Sequence, residues 1–332
     1  MTAKNINETR NNVTENITKR KLKISAVIVN FNSGLYLKEC IEGILQHLEV
    51  KDDGDEIIVV DNNSTDNSLA SIESLSPIKI IPLKTNLGYG GGCNVGFDHS
   101  SGRILFFLNP DVKLISTVNY VLDLFEKNAN CAIVAPGIIE QGHLCNSLRP
   151  FPSVLKDALG EFGLSLKQGS IGVSWETLRV ENNQKEVQFW GYTQGSAFFL
   201  RREVFEQAGK FDPGFFLYYE EVDLFKRIAD REESFFYEPK CLVIHVSGGS
   251  SSGLEWRKTA IRYNSKKRYF TKHASKPWLI IHKILILLIL FLKLLSYYPI
   301  GIILRRDRKN MFRAYLYAML LYAGRSCHWK GY

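Results

Sequence analysis

The chain has 332 residues, 45% hydrophobic and 23% charged, enough apolar content for one large α/β domain with an appendage. Its six cysteines are scattered with no C-x-x-C pair, which excludes a zinc knuckle and a disulfide framework and suits a reducing compartment. The net charge of +8 is unevenly held: residues 255–332 carry 17 Lys or Arg against two acids, a net of +15, leaving −7 on the rest. An acidic body with a basic tail excludes the nucleic-acid enzymes, whose basic surface lines the site.

Residues 1–22 are rich in Asn, Thr and charge and hold no apolar stretch of the signal-peptide kind, so a disordered tail is expected. Short apolar runs at 25–29, 56–60 and 104–108 have the length and composition of fully buried strands. Residues 34–48 have helical apolar spacing (Leu37, Ile41, Ile44, Leu45, Leu48), and a shorter helix is expected over 65–75. A strand at 78–83 leads into a glycine-rich stretch, 88–96. A helix follows at 116–128 and a strand at 131–135. Residues 137–188 are polar and carry no regular pattern. Order returns with a strand at 195–200, helices at 202–208 and 220–230, and a strand at 241–245. His245 ends that strand, ahead of the Ser/Gly-rich run 247–253. This alternation predicts an α/β fold with a mainly parallel central sheet.

Residues 278–304 are almost wholly apolar and exceed the ~20 residues that span a bilayer. Lys283 and Lys293 interrupt them roughly 80° apart on a helix, so both can lie on one side. With the basic surroundings, interfacial docking on an anionic membrane surface is favoured over a span. A second amphipathic stretch covers 311–323.

Polar clusters follow three of the strands: Asn30-Phe31-Asn32, Asp61-Asn62-Asn63-Ser64-Thr65-Asp66 and Asn109-Pro110-Asp111. Open α/β sheets bind ligands outside the carboxyl ends of their strands, so the three clusters predict one polar crevice suited to a nucleotide and a hard cation. Asp61 can accept from a pyrimidine N–H or a ribose hydroxyl, with Phe31 and Asn32 flanking the base; the bland alternative is a simple turn. Asp66 is expected to cap the following helix. The glycines are spaced G-x-G-x-x-x-G after the third strand, which makes a Rossmann reading weak and leaves close approach to a diphosphate. Glu220, Glu221 and Asp223 begin a helix. They suit its dipole, and as crowded acids among aromatic residues they also suit a general base of raised pKa.

These motifs, in this order over about residues 23–269, resemble the inverting family 2 glycosyltransferases of GT-A fold, most closely the rhamnosyltransferase branch. The resemblance implies a nucleotide-diphospho-sugar transferase domain at 23–270 and a helical, membrane-associating appendage at 271–332. It implies that Phe31, Asn32, Asp61, Asn63, Asn86, Gly88, Asn109 and Asp111 bind the nucleotide-sugar. Asn109-Pro110-Asp111 stands in the place of the family's D-x-D, so Asp111 would hold a divalent cation, Mg2+ or Mn2+, with His245 joining it. Glu221 would deprotonate the acceptor, with Glu220 as second choice and Trp190 and Asp223 on the acceptor side. The implied donor is dTDP-L-rhamnose. The implied acceptor is a lipid-linked saccharide of bacterial surface polysaccharide, at the cytoplasmic face of the plasma membrane. Two alternatives stand beside this. A sugar-1-phosphate nucleotidyltransferase would need a basic glycine-rich loop that residues 30–34 lack. An inactive sugar-nucleotide-binding subunit would explain Asn109 in place of the first Asp.

Overall fold

The computed structural model describes residues 22–50, 54–161, 187–246, 255–304 and 306–324. The expected N-terminal tail, Leu22 apart, and the Ser/Gly run at 247–253 lie outside these residues. The elements begin with β1 (Ile24–Asn30), α1 (Tyr36–His47), β2 (Glu56–Asp61), β3 (Lys79–Pro82), α2 (Gly88–Asp98) and β4 (Ile104–Leu108). Next come β5 (Val112–Leu114), α3 (Asn119–Lys127), β6 (Cys131–Glu140), β7 (His143–Cys145), β8 (Leu148–Arg149) and α4 (Val154–Glu161). They continue with β9 (Val187–Phe189), β10 (Tyr192–Thr193), β11 (Ala197–Arg201), α5 (Arg202–Gln207), α6 (Glu220–Ala229) and β12 (Ser234–His245). Three helices complete the described chain, α7 (Glu255–His273), α8 (Lys276–Leu304) and α9 (Arg306–Tyr322).

The sheet order is β3-β2-β1-β4-β11-β6-β12-β5. Strands β3, β2, β1 and β4 run parallel, as do β6 and β12, while β11 enters antiparallel between β4 and β6. The chain winds outward from β1 to β3 and then resumes on β1's other side at β4. Such a reversal of winding opens a crevice at the strand ends. Alternation along β1 sends successive side chains to opposite faces. Val27 and Val29 pack with Cys93 and Phe97 of α2, whereas Ile24, Ala26 and Ile28 pack with Leu37 and Ile41 of α1 and Phe125 of α3. The result is a central sheet between two helical layers.

The structure departs from the sequence reading in four places. Residues 65–75 form only a single 3₁₀ turn, Ala70–Ile72, rather than a helix. Asp66 accepts from the Ser68 N–H (3.2 Å) and Ser68 Oγ (2.6 Å), and Ser71 Oγ donates to the Ser68 carbonyl (2.6 Å). Such local bonds compete with a helical backbone. Asp66 is therefore no helix cap; its other oxygen accepts from Gly34 N at 2.8 Å and ties two loops together. The glycines of 88–96 lie within helix α2, not ahead of it, and two of them let that helix approach β1 closely. A Cβ on Gly96 would meet Val27 Cγ1 at 2.3 Å, and one on Gly92 would meet Val29 Cγ1 at 2.6 Å.

The other two departures lie toward the C-terminus. The boundary at 270 falls inside α7, because Tyr269 and Phe270 are buried in the core that covers the sheet. Lys293 does not share an outer face with Lys283: it turns inward to Glu161 and donates to the Tyr263 hydroxyl at 3.2 Å. That contact belongs to a buried clasp between α4, α7 and α8. Lys266, 3% exposed, lies 2.8 Å from Asp157 Oδ1 and 2.6 Å from Glu161 Oε1. The fully buried His282 lies 3.2 Å from Asp157 Oδ2. Helix α8 thus buries Ile286, Ile289 and Leu290 against its neighbours and leaves Ile280, Ile284, Leu288 and Phe291 exposed.

Candidate active site

One corner of the crevice forms where β1 and β2 end in register, Asn30 beside Asp61. Asn30 is fully buried and donates to Asp61 Oδ1 (2.7 Å) and Ser68 Oγ (2.8 Å), while Asp61 Oδ2 accepts from Ser64 N (3.1 Å). Asn32 and Asn63 take left-handed backbone conformations (φ 50° and 65°), which Asn tolerates better than most residues. Asn32 Oδ1 accepts from Thr65 N at 2.8 Å, so this side chain shapes the loop. Phe31 is half-buried and Asn63 exposed beside them. Asn86 Oδ1 accepts from Gly88 N at 2.8 Å. Gly88 (φ +76°) makes room for the Phe216 carbonyl, which an added Cβ would meet at 2.1 Å. Asn62, not singled out from sequence, joins the two loops by accepting from Leu87 N (3.1 Å) and donating to the Gly88 carbonyl (2.9 Å).

The second corner is set by the pairing of β5 with β12, which puts His245 opposite Val112, the residue after Asp111. His245 Nε2 lies 3.6 Å from Asp111 Oδ1, and its Nδ1 lies 2.6 Å from Glu140 Oε1. Burial acts to lower the His245 pKa, but hydrogen bonds to Asp111 and Glu140 outweigh it and raise it. A carboxylate behind one imidazole nitrogen and a second carboxylate in front of the other is the arrangement that orients a metal-binding histidine. These residues fit a divalent cation. No group of three or more candidate metal-binding side chains comes together among the described residues; Asp111 and His245 are the pair that would face a cation here. Magnesium-type sites complete such a shell with substrate phosphates and water.

The third corner is the start of α6. Tyr218 and Tyr219 precede it with φ of 67° and 68°, two consecutive non-glycine residues in the left-handed region. Backbone strain of this kind is found where the surroundings enforce it, and it concentrates at functional sites. It delivers Glu220 and Glu221 into the interior. Oε2 of each is shut off from solvent with no hydrogen-bond partner, although Glu221 as a residue is only part-buried. Burial, then the charge of Glu221, holds the Glu220 carboxyl well above its ordinary range, while burial pushes Glu221 up to about 7. Two acids whose environments separate their pKa values suit a proton-transfer role, with Glu220 neutral and Glu221 ionising near neutrality.

The segment 194–196, just ahead of β11, joins the last two corners. Gln194 Nε2 donates to Glu140 Oε1 at 3.0 Å, the Gly195 carbonyl accepts from the Tyr89 hydroxyl at 3.3 Å, and the Ser196 carbonyl accepts from Asn109 N at 2.8 Å. A Cβ on Gly195 would meet Glu221 Cγ at 3.1 Å and Cδ at 3.2 Å. Glu140, Gln194 and Gly195 carried no motif in the sequence. The structure does not bring Asp223 to the acceptor side: it is fully buried and ion-paired with Arg227 (2.8 Å), Lys272 (2.8 Å) and His273 (2.7 Å). Trp190 stands apart from the three corners, 56% exposed and edge-on to Phe151.

Residues 25–209 match the family described as glycosyl transferase family 2, more than half of the chain, including β2, β4 and nearly all of β1 but neither β12 nor the start of α6. The chain belongs to glycosyl transferase family 2. The N-acetylglucosaminyl-diphospho-decaprenol L-rhamnosyltransferase of Mycobacterium tuberculosis is 26% identical over 210 residues, 59% of this chain and 67% of that protein. The rhamnosyltransferase WbbL of Escherichia coli K12 is 26% identical over 266 residues, 73% of this chain and 92% of that protein. The crystal structure of GalNAc-T7 with UDP, GalNAc and Mn2+ superimposes with a TM-score of 0.53 at 16% identity. It covers 80% of this chain, which spans 55% of the GalNAc-T7 chain, and its likeness establishes the GT-A fold. This family 2 glycosyltransferase is therefore an enzyme of sugar transfer, and the nucleotidyltransferase alternative falls.

Proposed function

We propose that this glycosyltransferase moves L-rhamnose from dTDP-L-rhamnose to a lipid-linked saccharide with inversion, while docked on an anionic membrane surface at its cytoplasmic face. The observation that carries the catalytic reading is the pair of carboxylates at the strained start of α6, each with one oxygen that is shut off from solvent and has no hydrogen-bond partner. Glu221 takes the proton from the acceptor hydroxyl as its oxygen attacks the anomeric carbon and the bond to the diphosphate breaks. Glu220, held neutral, leaves Glu221 as the charge of the pair. Asp61 and the loops of Asn32 and Asn86 form the nucleotide corner. Asp111 and His245 would hold a divalent cation, which when bound would supply positive charge for the leaving diphosphate.

The two rhamnosyltransferases at 26% identity support the donor, and the decaprenol-linked substrate named for one of them supports the acceptor class. The exposed apolar face of α8 and the net +15 of residues 255–332 support the membrane surface. A panel of nucleotide sugars, with Mg2+ or Mn2+ and after chelation, tests the reading: dTDP-L-rhamnose should turn over and chelation should stop it. Preference for another sugar removes the donor assignment alone. Asp111→Asn should abolish cation-stimulated turnover and weaken Mn2+ binding measured by electron paramagnetic resonance, because the amide keeps the shape and loses the charge. Mn2+ binding at wild-type strength would reject Asp111 as the ligand.

A further inference from the structure

Beside the last turn of α6, at Lys226, lies a cavity of about 490 Å3, lined chiefly by Phe151, Leu155, Trp190, Tyr269, Phe270 and Trp278. That volume is within the roughly 300–1,000 Å3 of ligand pockets. The remainder of its wall holds two cationic or titratable groups, Lys226 and His273, and no carboxylate. Lys226 pairs with Asp230 and His273 with Asp223, so both are anchored at the wall by acids that lie outside it. Such a wall suits a long apolar chain.

Position narrows the occupant. Trp278 forms part of the wall and is also 45% exposed at the head of α8, where Ile281, Leu288, Leu292 and Leu295 continue its exposed face at helical spacing. The cavity therefore opens onto the apolar face proposed to meet the membrane. At its inner end Tyr269 packs 5.5 Å from Tyr219, the residue before Glu220, and Phe151 packs 6.4 Å from Tyr192 on β10. Aromatic rings thus connect the cavity wall to Tyr219, the residue before the carboxylate pair.

We infer that this cavity receives the isoprenoid chain of a polyprenyl-phosphate-linked acceptor and leads it from the membrane toward Glu221. The inference rests on the lipid-linked acceptor proposed above and adds where the lipid sits. Affinity would then reside in the chain as well as in the sugar, and acceptors stripped of lipid would bind weakly.

The test uses the full chain with farnesyl phosphate as probe and inorganic phosphate as control, followed by titration calorimetry. Wild type and the conservative Leu155→Met should bind farnesyl phosphate saturably and inorganic phosphate not measurably. Leu155→Glu should weaken farnesyl phosphate at least about tenfold by placing a charge in an apolar wall, and Leu155 is 52% exposed, so the fold tolerates it. Trp278→Glu should do the same, and both variants should raise KM for a lipid-linked acceptor while leaving nucleotide release from donor to water unchanged. Binding by both variants as tight as wild type overturns the inference. Farnesyl phosphate uptake that tracks a doubling of mass in sedimentation overturns it in favour of a contact between two copies. If lipid-linked acceptors are glycosylated while farnesyl phosphate fails to bind, only the cavity assignment falls. If farnesyl phosphate binds and no lipid-linked acceptor is glycosylated, the acceptor reading falls and the inference with it.

Discussion

Glu221 is held in an environment that disfavours its charge, and the proposed reaction requires that charge. Glu221→Gln should lower kcat by roughly 10²–10⁴ while leaving donor affinity nearly intact. With burial pushing the carboxyl up to about 7, activity should rise with pH through that region, since the protonated acid cannot accept a proton. The stability sign is the reverse. Between the ordinary carboxylate range and about 7 the folded state keeps a proton that the unfolded state loses, so stability falls as pH rises. Glu221→Gln should remove the activity limb and lessen the stability limb, to which buried Glu220 also contributes, read from a pH–rate profile and from thermal melts across the same pH series; no change in either would exclude it as the base. Gly195→Ala offers a second check. The added Cβ presses on the Glu221 side chain at 3.1–3.2 Å, so kcat should fall at least about tenfold in a protein that still binds donor, measured by single-turnover kinetics. Unchanged kcat would mean that Glu221 relaxes freely. The acids and Asp111 were legible because their residue types and order carry a motif. Glu140, Gln194 and Gly195 were not, because they act through contacts with residues 26 to 105 positions away, and no local pattern encodes such partners.

Helices α4, α7 and α8 meet around charges that only make sense as a group. Burial acts to raise the Glu161 pKa, but Lys266 and Lys293 outweigh it and hold the carboxyl down at about 2. A depressed acid contributes stability that is present above its ordinary value near 4.5 and lost as pH falls toward about 2. Lowering the pH through that window should loosen α8 from α4 before the sheet unfolds. Hydrogen exchange should show protection lost first in α8, and simultaneous loss everywhere would mean that the clasp is not a separate unit. Removing one partner of a buried ion pair is costly, so Glu161→Gln should shift the same event to neutral pH. The sheet strands were readable because period-2 burial on both faces leaves continuous apolar runs, as at 104–108. The segment 65–75 misled because its Asp and Ser side chains bond their own backbone, which composition alone does not reveal. Lys293 misled for a different reason: its partner lies 132 residues away, so an interior lysine was read as a surface one.

At the scale of the whole molecule, the deciding feature is that α8 is apolar on two sides with different surroundings. Lys276–Leu295 is long and apolar enough to cross a membrane, yet only some of it is available to lipid. His282, Ile286, Ile289 and Leu290 are buried against neighbouring helices, and Lys293 is tied to Glu161. A span would have to carry Asp157, Glu161 and Lys266 into the bilayer, where charges are expensive. Lying flat needs no such step: the exposed row of Ile280, Ile284, Leu288 and Phe291 enters the interface while the clasp stays with the protein. Polybasic attraction contributes about 1 kcal/mol per Lys or Arg near an anionic surface and is screened within about 8–10 Å at physiological salt. Full-length protein should therefore sediment with anionic vesicles at low salt and release at least partly in high salt or alkaline carbonate. Binding to neutral vesicles should be weaker, because only the apolar face then contributes. Resistance to both extractions would establish a span and require α8 to leave its packing. Protein wholly soluble beside anionic vesicles at low salt would reject membrane docking in either form.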